Sequence, residues 1–264
     1  MFSKPQLDRY SRQLILPGVG AAGQQRLLEA KVLVVGVGGL GSPVLLYLAA
    51  AGVGILGVVD DDVVELSNLQ RQIVHGVEAL GLSKVASAAL RLGDLNPEVR
   101  VEPFETRLDA GNALELLAPY DLIVDGSDTL PTRYLLSDAC VLLGKPLLYG
   151  AMAQFEGQLA LLHVPTVEGR GPCYRCVYPE PPPANTVLSC AEGGVFGALP
   201  GVIGSLMAVE VIKHLVGLDE APAKLTHYDA LSGDFRTVKL RRNPACPSCG
   251  DAPSIRTLSE MKAC

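Results

Sequence analysis

The chain has 264 residues, of which 48% are apolar, 5% aromatic and none Trp, and its 22 Lys and Arg against 28 Asp and Glu give a net charge of −6. That apolar share fills a sizeable core and excludes a disordered chain, while the Ala-, Val-, Leu- and Gly-rich profile suits a parallel sheet buried under helices. An acidic chain without a basic run excludes nucleic acid as its main partner.

Residues 1–13 are polar and lack the apolar core of a secretory signal. Residues 8–30 read as polar-faced helix with a break at Pro17-Gly18. Residues 31–35 (KVLVV) form a short buried strand and residues 36–41 a glycine-rich turn. An apolar helix follows over 42–51, with Ser42 as its N-cap and Pro43 at its first position. Residues 55–59 form a second strand, which delivers Asp60 at its carboxyl end. Strand, turn, helix and strand in one span make a βαβ unit, and hence a parallel sheet. The alternation continues: a helix over 84–96 before Pro97, a strand over 99–104, a short helix over 113–117 and a strand over 122–124 leading into Asp125-Gly126-Ser127-Asp128. A helix over 132–143 and a strand over 146–149 complete it. Residues 30–150 are therefore predicted to be α/β, a doubly wound, Rossmann-like and mostly parallel sheet.

After Gly150 the texture changes, and residues 157–163 and 225–240 read as a C-terminal antiparallel extension. Between them a Pro-rich stretch, residues 179–184, is expected to be a mobile loop. The longest apolar stretch, residues 193–217, holds Pro200, several glycines, Glu210, Lys213 and His214, so it reads as a loop and a buried helix rather than a membrane span. No repeat is present. A nucleotide-binding half (about 30–150) and a second half (about 151–250) are expected to share one sheet in a single unit over 1–264, in a cytoplasmic protein without membrane contact.

Gly36-Val37-Gly38-Gly39-Leu40-Gly41 is G-x-G-x-x-G between a strand and a helix. Its glycines permit a sharp turn, a close approach of phosphate to backbone, and tight helix packing. Asp60 stands where a carboxylate accepts hydrogen bonds from a ribose, or caps a loop, and Asp61 and Asp62 read as solvated. An NAD-dependent oxidoreductase would share these features. Ser67-Asn68-Leu69-Gln70-Arg71-Gln72 and then Lys84 argue for a triphosphate instead, whose charge needs neutralising. Taken singly, Arg71 and Lys84 read equally as surface cations. Asp125 and Asp128, at the carboxyl end of a later strand, either hold Mg²⁺ or cap a loop.

Seven cysteines without an export signal suggest a reducing compartment and metal or redox chemistry. Cys173-x-x-Cys176 and Cys246-x-x-Cys249 form a split four-cysteine set suited to a structural Zn²⁺ that clips the tail to the body; independent thiols and redox dithiols are the alternatives. Cys140 reads as core, Cys264 is terminal, and Cys190 has no cysteine partner at ligand spacing.

Arg9-Tyr10-Ser11-Arg12-Gln13, GVGGLGSP, Ser67–Gln72, Gly126-Ser127-Asp128 and the two cysteine pairs, in this order over roughly residues 8–250, resemble the ThiF, MoeB and HesA proteins, bacterial relatives of ubiquitin-activating enzymes. The resemblance implies an ATP-dependent adenylyltransferase acting on the C-terminal Gly-Gly carboxylate of a ubiquitin-like sulfur-carrier protein of the ThiS or MoaD type. It assigns Asp60 to the ribose, Gly38 and Gly39 to the nucleotide, Asn68, Arg71 and Lys84 to the phosphates, and Asp128 to Mg²⁺. It also implies a homodimer in which Arg12 reaches the partner's site, and it places Cys190 where relatives carry a cysteine proposed to bond the carrier covalently. Where relatives have Thr-Asp-Asn, this chain has Ser127-Asp128-Thr129, so no side-chain amide is present there. The chain ends soon after Cys249, so sulfur is expected from a separate sulfurtransferase or cysteine desulfurase. The rival readings are an NAD-dependent oxidoreductase with structural zinc, a non-catalytic adaptor for ubiquitin-like proteins, to which Thr129 alone leans, and a tRNA-modifying relative that activates a small carboxylate.

Overall fold

The computed structural model describes residues 2–166, 169–183, 193–218 and 223–259. β1 (Lys31–Val35) lies at the middle of the five parallel strands of an eight-stranded sheet. β2 (Ile55–Val59) and β3 (Arg100–Phe104) extend the sheet on one side of it, and β4 (Leu122–Asp125) and β5 (Leu147–Ala153) on the other, all parallel. Beyond β5 the pairing turns antiparallel through β6 (Glu156–Leu162), β9 (Lys224–Asp229) and β10 (Asp234–Lys239). A two-stranded ribbon, β7 (Pro165–Thr166) with β8 (Gly169–Arg170), stands apart. One sheet thus runs through both halves of the chain.

The chain leaves β1 toward β2 but returns through β4 on the opposite side. This reversal opens a crevice at the carboxyl ends of β1 and β4, the place where such sheets bind ligands. Alternate residues of β1 feed opposite faces: Val32 and Val34 join one apolar cluster, Leu33 and Val35 the other. Helices cover both faces, which is why KVLVV reads as a continuous apolar run. The first cluster is roofed by α3 (Gly41–Ala51), α4 (Lys84–Leu95) and α8 (Leu199–Val216), the second by α5 (Ala113–Leu117), α6 (Leu130–Leu143) and the short α7 (Tyr174–Val177). α8 is long and apolar enough to cross a membrane, yet its Leu199, Ile203, Met207 and Val211 are buried in the first cluster, as the charged and Pro-containing sequence predicts. Cys140 is buried in the second cluster, as expected.

The N-terminal helical region splits into α1 (Lys4–Leu14) and α2 (Gly20–Glu29), with Gly18 at φ 87° in the break. One expectation needs correction. Ser42 is not an N-cap: α3 begins at Gly41, no side chain caps it, and the Ser42 hydroxyl donates to the Gly38 carbonyl at 2.7 Å. Residues 225–240 do form an antiparallel extension, as the β9–β10 hairpin. Asp229 accepts the Leu231 N–H at 2.9 Å and the Ser232 hydroxyl at 3.0 Å, and Gly233 supplies φ 76°, so the chain reverses there.

Candidate active site

The glycine turn after β1 is tight for local reasons. Gly36 has φ 92°, and a Cβ there would lie 2.7 Å from the Gly126 carbonyl oxygen of the β4 loop. At Gly41 a Cβ would lie 2.0 Å from the Gly36 carbonyl oxygen. Gly38 differs: its φ is not positive, and the nearest atom to an added Cβ would be Gln72 Nε2 at 3.7 Å. The amides of Gly38, Gly39 and Leu40 donate to no acceptor among the described residues. Together with the uncapped start of α3, they form a receptor for an anion.

Asp60 sits against this turn. Its Oδ2 accepts the Val37 N–H at 2.7 Å, and its Oδ1 accepts the Asp62 N–H at 2.9 Å. Burial pushes its carboxyl up, opposed by the Val37 hydrogen bond and by the charge of Lys84. Lys84, the first residue of α4, is buried, and its Nζ donates to Asp62 Oδ2 at 2.7 Å. Asp62 is therefore exposed but not idle, a correction to its reading as mere solvated loop. The structure brings Gly38, Asp60 and Lys84 together through Val37 and Asp62.

The Ser67–Gln72 segment folds as a 3-10 turn at Leu66–Asn68. Asn68 Oδ1 accepts the Glu65 N–H at 3.2 Å, and Arg71 Nη1 donates to the Ser67 carbonyl at 3.1 Å. Gln72, which sequence reasoning left without a role of its own, is the member of this segment that reaches the glycine turn, and its buried Oε1 has no hydrogen-bond partner among the described residues.

Across the crevice, Asp128 is exposed on the loop after β4. Asp125 is fully buried; its Oδ1 takes the Ser127 N–H at 3.0 Å and the Ser127 hydroxyl at 2.6 Å, so it caps the loop. Arg133, also missed from sequence, lies beneath: it donates to the Ser127 carbonyl at 3.2 Å and sits over the Tyr149 ring at 5.6 Å. Burial is the largest influence and works against its charge, but Asp125 together with Tyr149 and Tyr174 outweighs it, so the guanidinium is held above its ordinary value. An arginine in a helix whose other residues are mostly apolar was the available signal. Arg12 is exposed on α1 and has no hydrogen bond or ion pair among the described residues; its neighbours Arg9 and Tyr10 pack on Leu95 and Gly52, at the carboxyl ends of α4 and α3. Cys190 lies outside the described residues.

The four expected cysteines converge away from the crevice. Their sulfurs all lie within 4.8 Å of one another, with Cys173 to Cys176 at 3.9 Å, Cys173 to Cys246 at 3.6 Å and Cys176 to Cys249 at 3.4 Å. A tetrahedron of thiolates about 2.3 Å from a zinc ion has edges of about 3.8 Å, so the set fits that ion. Backbone N–H groups of Asn243 and Cys249 point at the Cys176 and Cys246 sulfurs, at 3.4 and 3.5 Å. Such donors favour thiolate, and the Cys176 thiol is pushed down by its sulfur neighbours Cys173 and Cys249 and by Asn243.

Residues 10–248 match the ThiF family. The chain belongs to the ThiF family. A relative named sulfur carrier protein adenylyltransferase, from Thermus thermophilus, is 57% identical over 264 residues, covering 99% of this chain and 97% of its own. The SAMP-activating enzyme E1 of Haloferax volcanii is 51% identical over 262 residues, covering 98% and 95%. The adenylyltransferase and sulfurtransferase MOCS3 of Bos taurus is 52% identical over 263 residues, but the match spans only 57% of that longer protein. Among solved structures, E. coli MccB with MccA-N7isoASN superposes with a TM-score of 0.79 at 22% identity over 92% of this chain and 75% of its own, a likeness of fold. Membership in the ThiF family removes the oxidoreductase reading. Thr129 also finds a plain explanation in this ThiF-family chain. It is the N-cap of α6, accepting the Thr132 N–H at 3.4 Å, a task that threonine and asparagine both perform.

Proposed function

We propose that this ThiF-family chain adenylates the C-terminal carboxylate of a ubiquitin-like sulfur-carrier protein. The observation that carries the reading is the identity of 57% across 99% of the chain to a sulfur carrier protein adenylyltransferase, in a molecule whose glycine turn keeps free amides beside Asp60 and Lys84. The carrier carboxylate attacks the α-phosphate of ATP in line; the bond to the bridging oxygen breaks, and acyl-adenylate and pyrophosphate leave. No protein nucleophile is needed for this step, so catalysis consists of positioning and charge neutralisation. Amides of Gly38 and Gly39 receive phosphate, Asp60 orients the ribose, and Lys84, Arg71 and Asn68 meet the polyphosphate. Asp128, an exposed carboxylate at the crevice, suits Mg²⁺, which would neutralise phosphate charge when bound. The exposed Arg12, without a hydrogen bond or ion pair among the described residues, suits a composite site in a homodimer. The four cysteines would hold Zn²⁺ as a structural clip, and thiolates of this kind fit a reducing, cytoplasmic setting. The sulfur donor is a separate sulfurtransferase or cysteine desulfurase, and Cys190 is a candidate for a covalent bond to the carrier.

Incubation with ATP, Mg²⁺ and a carrier ending in Gly-Gly is expected to add one AMP to the carrier by intact mass spectrometry. A carrier lacking the final glycine should gain none; equal labelling of both would contradict the reading.

The two kinds of glycine in the turn give a second test. Gly38→Ala brings a methyl group only into ordinary van der Waals contact with Gln72 Nε2, so the melting temperature should hold while ATP affinity falls by about tenfold or more. Gly41→Ala forces its Cβ onto the Gly36 carbonyl and should instead lower stability. Unchanged ATP binding in Gly38→Ala would remove that glycine from the nucleotide site.

A further inference from the structure

One buried polar residue ties the walls of the crevice together without facing it. His75 is 8% exposed, and both of its ring nitrogens are engaged. Nε2 lies 3.0 Å from the Val37 carbonyl oxygen and Nδ1 lies 2.8 Å from Ser87 Oγ. A carbonyl can only accept, so the geometry puts the proton on Nε2 and leaves Nδ1 to accept from the Ser87 hydroxyl. Val37 is thereby gripped at both ends, its N–H by Asp60 and its carbonyl by His75. Ser87 belongs to α4, one turn after Lys84. Lys84 pairs with Asp62, and the Asp62 N–H returns to Asp60. The bonds close a ring: Asp60, Val37, His75, Ser87, one turn of α4, Lys84, Asp62, and Asp60 again.

We propose that His75 is a positioning residue for adenylation, locking the glycine turn to α4 through its Nε2–H so that the turn amides and the Lys84 ammonium keep one spacing across the polyphosphate. The inference rests on the reading of the glycine turn as the nucleotide site. A hydrocarbon side chain would fill this space at no desolvation cost, whereas the imidazole supplies one donor and one acceptor to two groups that would otherwise be buried without them. Burial, and secondarily the charge of Lys84, lower the basicity of the ring, against the opposing pull of the Val37 carbonyl; the neutral form, with a single N–H, is the one the bonds require. Displacements of a fraction of an ångström between phosphate-binding groups are costly to a reaction that depends on alignment.

Two near-isosteric replacements separate positioning from packing. In His75→Gln the side-chain amide nitrogen reaches the place of Nε2 and keeps the bond to Val37. In His75→Asn the amide reaches only the place of Nδ1 and loses it. Both variants lose the ring, so a packing role predicts the same defect in each. The expected result is an ATP dissociation constant raised about fivefold or more in His75→Asn and about twofold in His75→Gln, with faster amide hydrogen exchange over residues 36–40 in the former only. Equal weakening in both, no weakening in either, or unchanged exchange in His75→Asn would overturn the proposal. If His75→Asn does not fold, Ser87→Ala frees Nδ1 while sparing the ring; it should loosen the same segment, and unchanged exchange there would overturn the proposal equally. The parent protein is titrated with ATP first. Failure of ATP to protect residues 36–40 in the parent would defeat the nucleotide-site reading, which is a separate failure from that of His75.

Discussion

Lys84→Met is expected to slow adenylate formation on the order of a hundredfold while leaving the fold about as stable as the parent. The expected loss in rate follows from the ammonium beside the glycine turn. It is the only cation bonded directly into the Asp60–Val37–Asp62 network among the described residues, and charge at that position acts on phosphate in a partly desolvated crevice. The stability argument rests on asymmetry within the ion pair. The Lys84 side chain is 8% exposed but that of Asp62 is 68% exposed, so removing the lysine leaves its ion-pair partner in water, and Asp60 keeps the Val37 and Asp62 N–H bonds. A cation at the first position of α4 also opposes the positive end of the helix dipole, and methionine restores an unbranched stem of similar length. The net change in stability is expected within about 1 kcal/mol. Exchange kinetics and a thermal melt on one preparation check both halves. Full activity would remove Lys84 from the phosphate role, and a large fall in melting temperature would make the Asp62 pair a structural device instead.

Cys246→Ala is expected to abolish binding of one zinc per chain and to lower the melting temperature by about 10 °C. Cys173 and Cys246 are each 1% exposed, and the pairs come from distant parts of the chain. Without the metal, the residues after β10 are held chiefly by their own short-range bonds, such as Gly250 to Cys246, Asp251 to Pro244 and Ile255 to Pro247. The damage should therefore concentrate there: limited proteolysis should cut within residues 240–259, while the β1–β4 crevice, whose flanking apolar clusters draw only Leu240 and Leu258 from that tail, survives. Because binding requires thiolates, acidification should release the metal, and a chelator at neutral pH should reproduce the variant. A metal-free parent with an unchanged melt would leave the four sulfurs as ordinary buried thiols.

Much of this architecture is legible in the sequence because it is local. β1 and β2 fall where apolar runs flank the glycine turn, and Asp60 falls where the second strand ends. The cysteine pairs declare themselves by spacing. What escaped depends on tertiary contact. Ser42 looks like a cap, but α3 starts one residue earlier and leaves its first amides open. Asp62 reads as solvent-facing until Lys84 arrives from 22 residues away. A single buried histidine such as His75 gives no periodic or spacing signal, and only the folded positions of Val37 and Ser87 expose its bonds. Arg12 marks the same limit from the other side: its proposed role lies with a second copy of the chain.

The most direct test of carrier adenylation is ATP–pyrophosphate exchange with a panel of purified carriers ending in Gly-Gly, each beside a version lacking the last glycine. Exchange that requires an intact tail, and that Asp128→Ala and Lys84→Met both suppress, is the predicted result. A folded, ATP-binding protein that supports no exchange with any carrier would contradict the account.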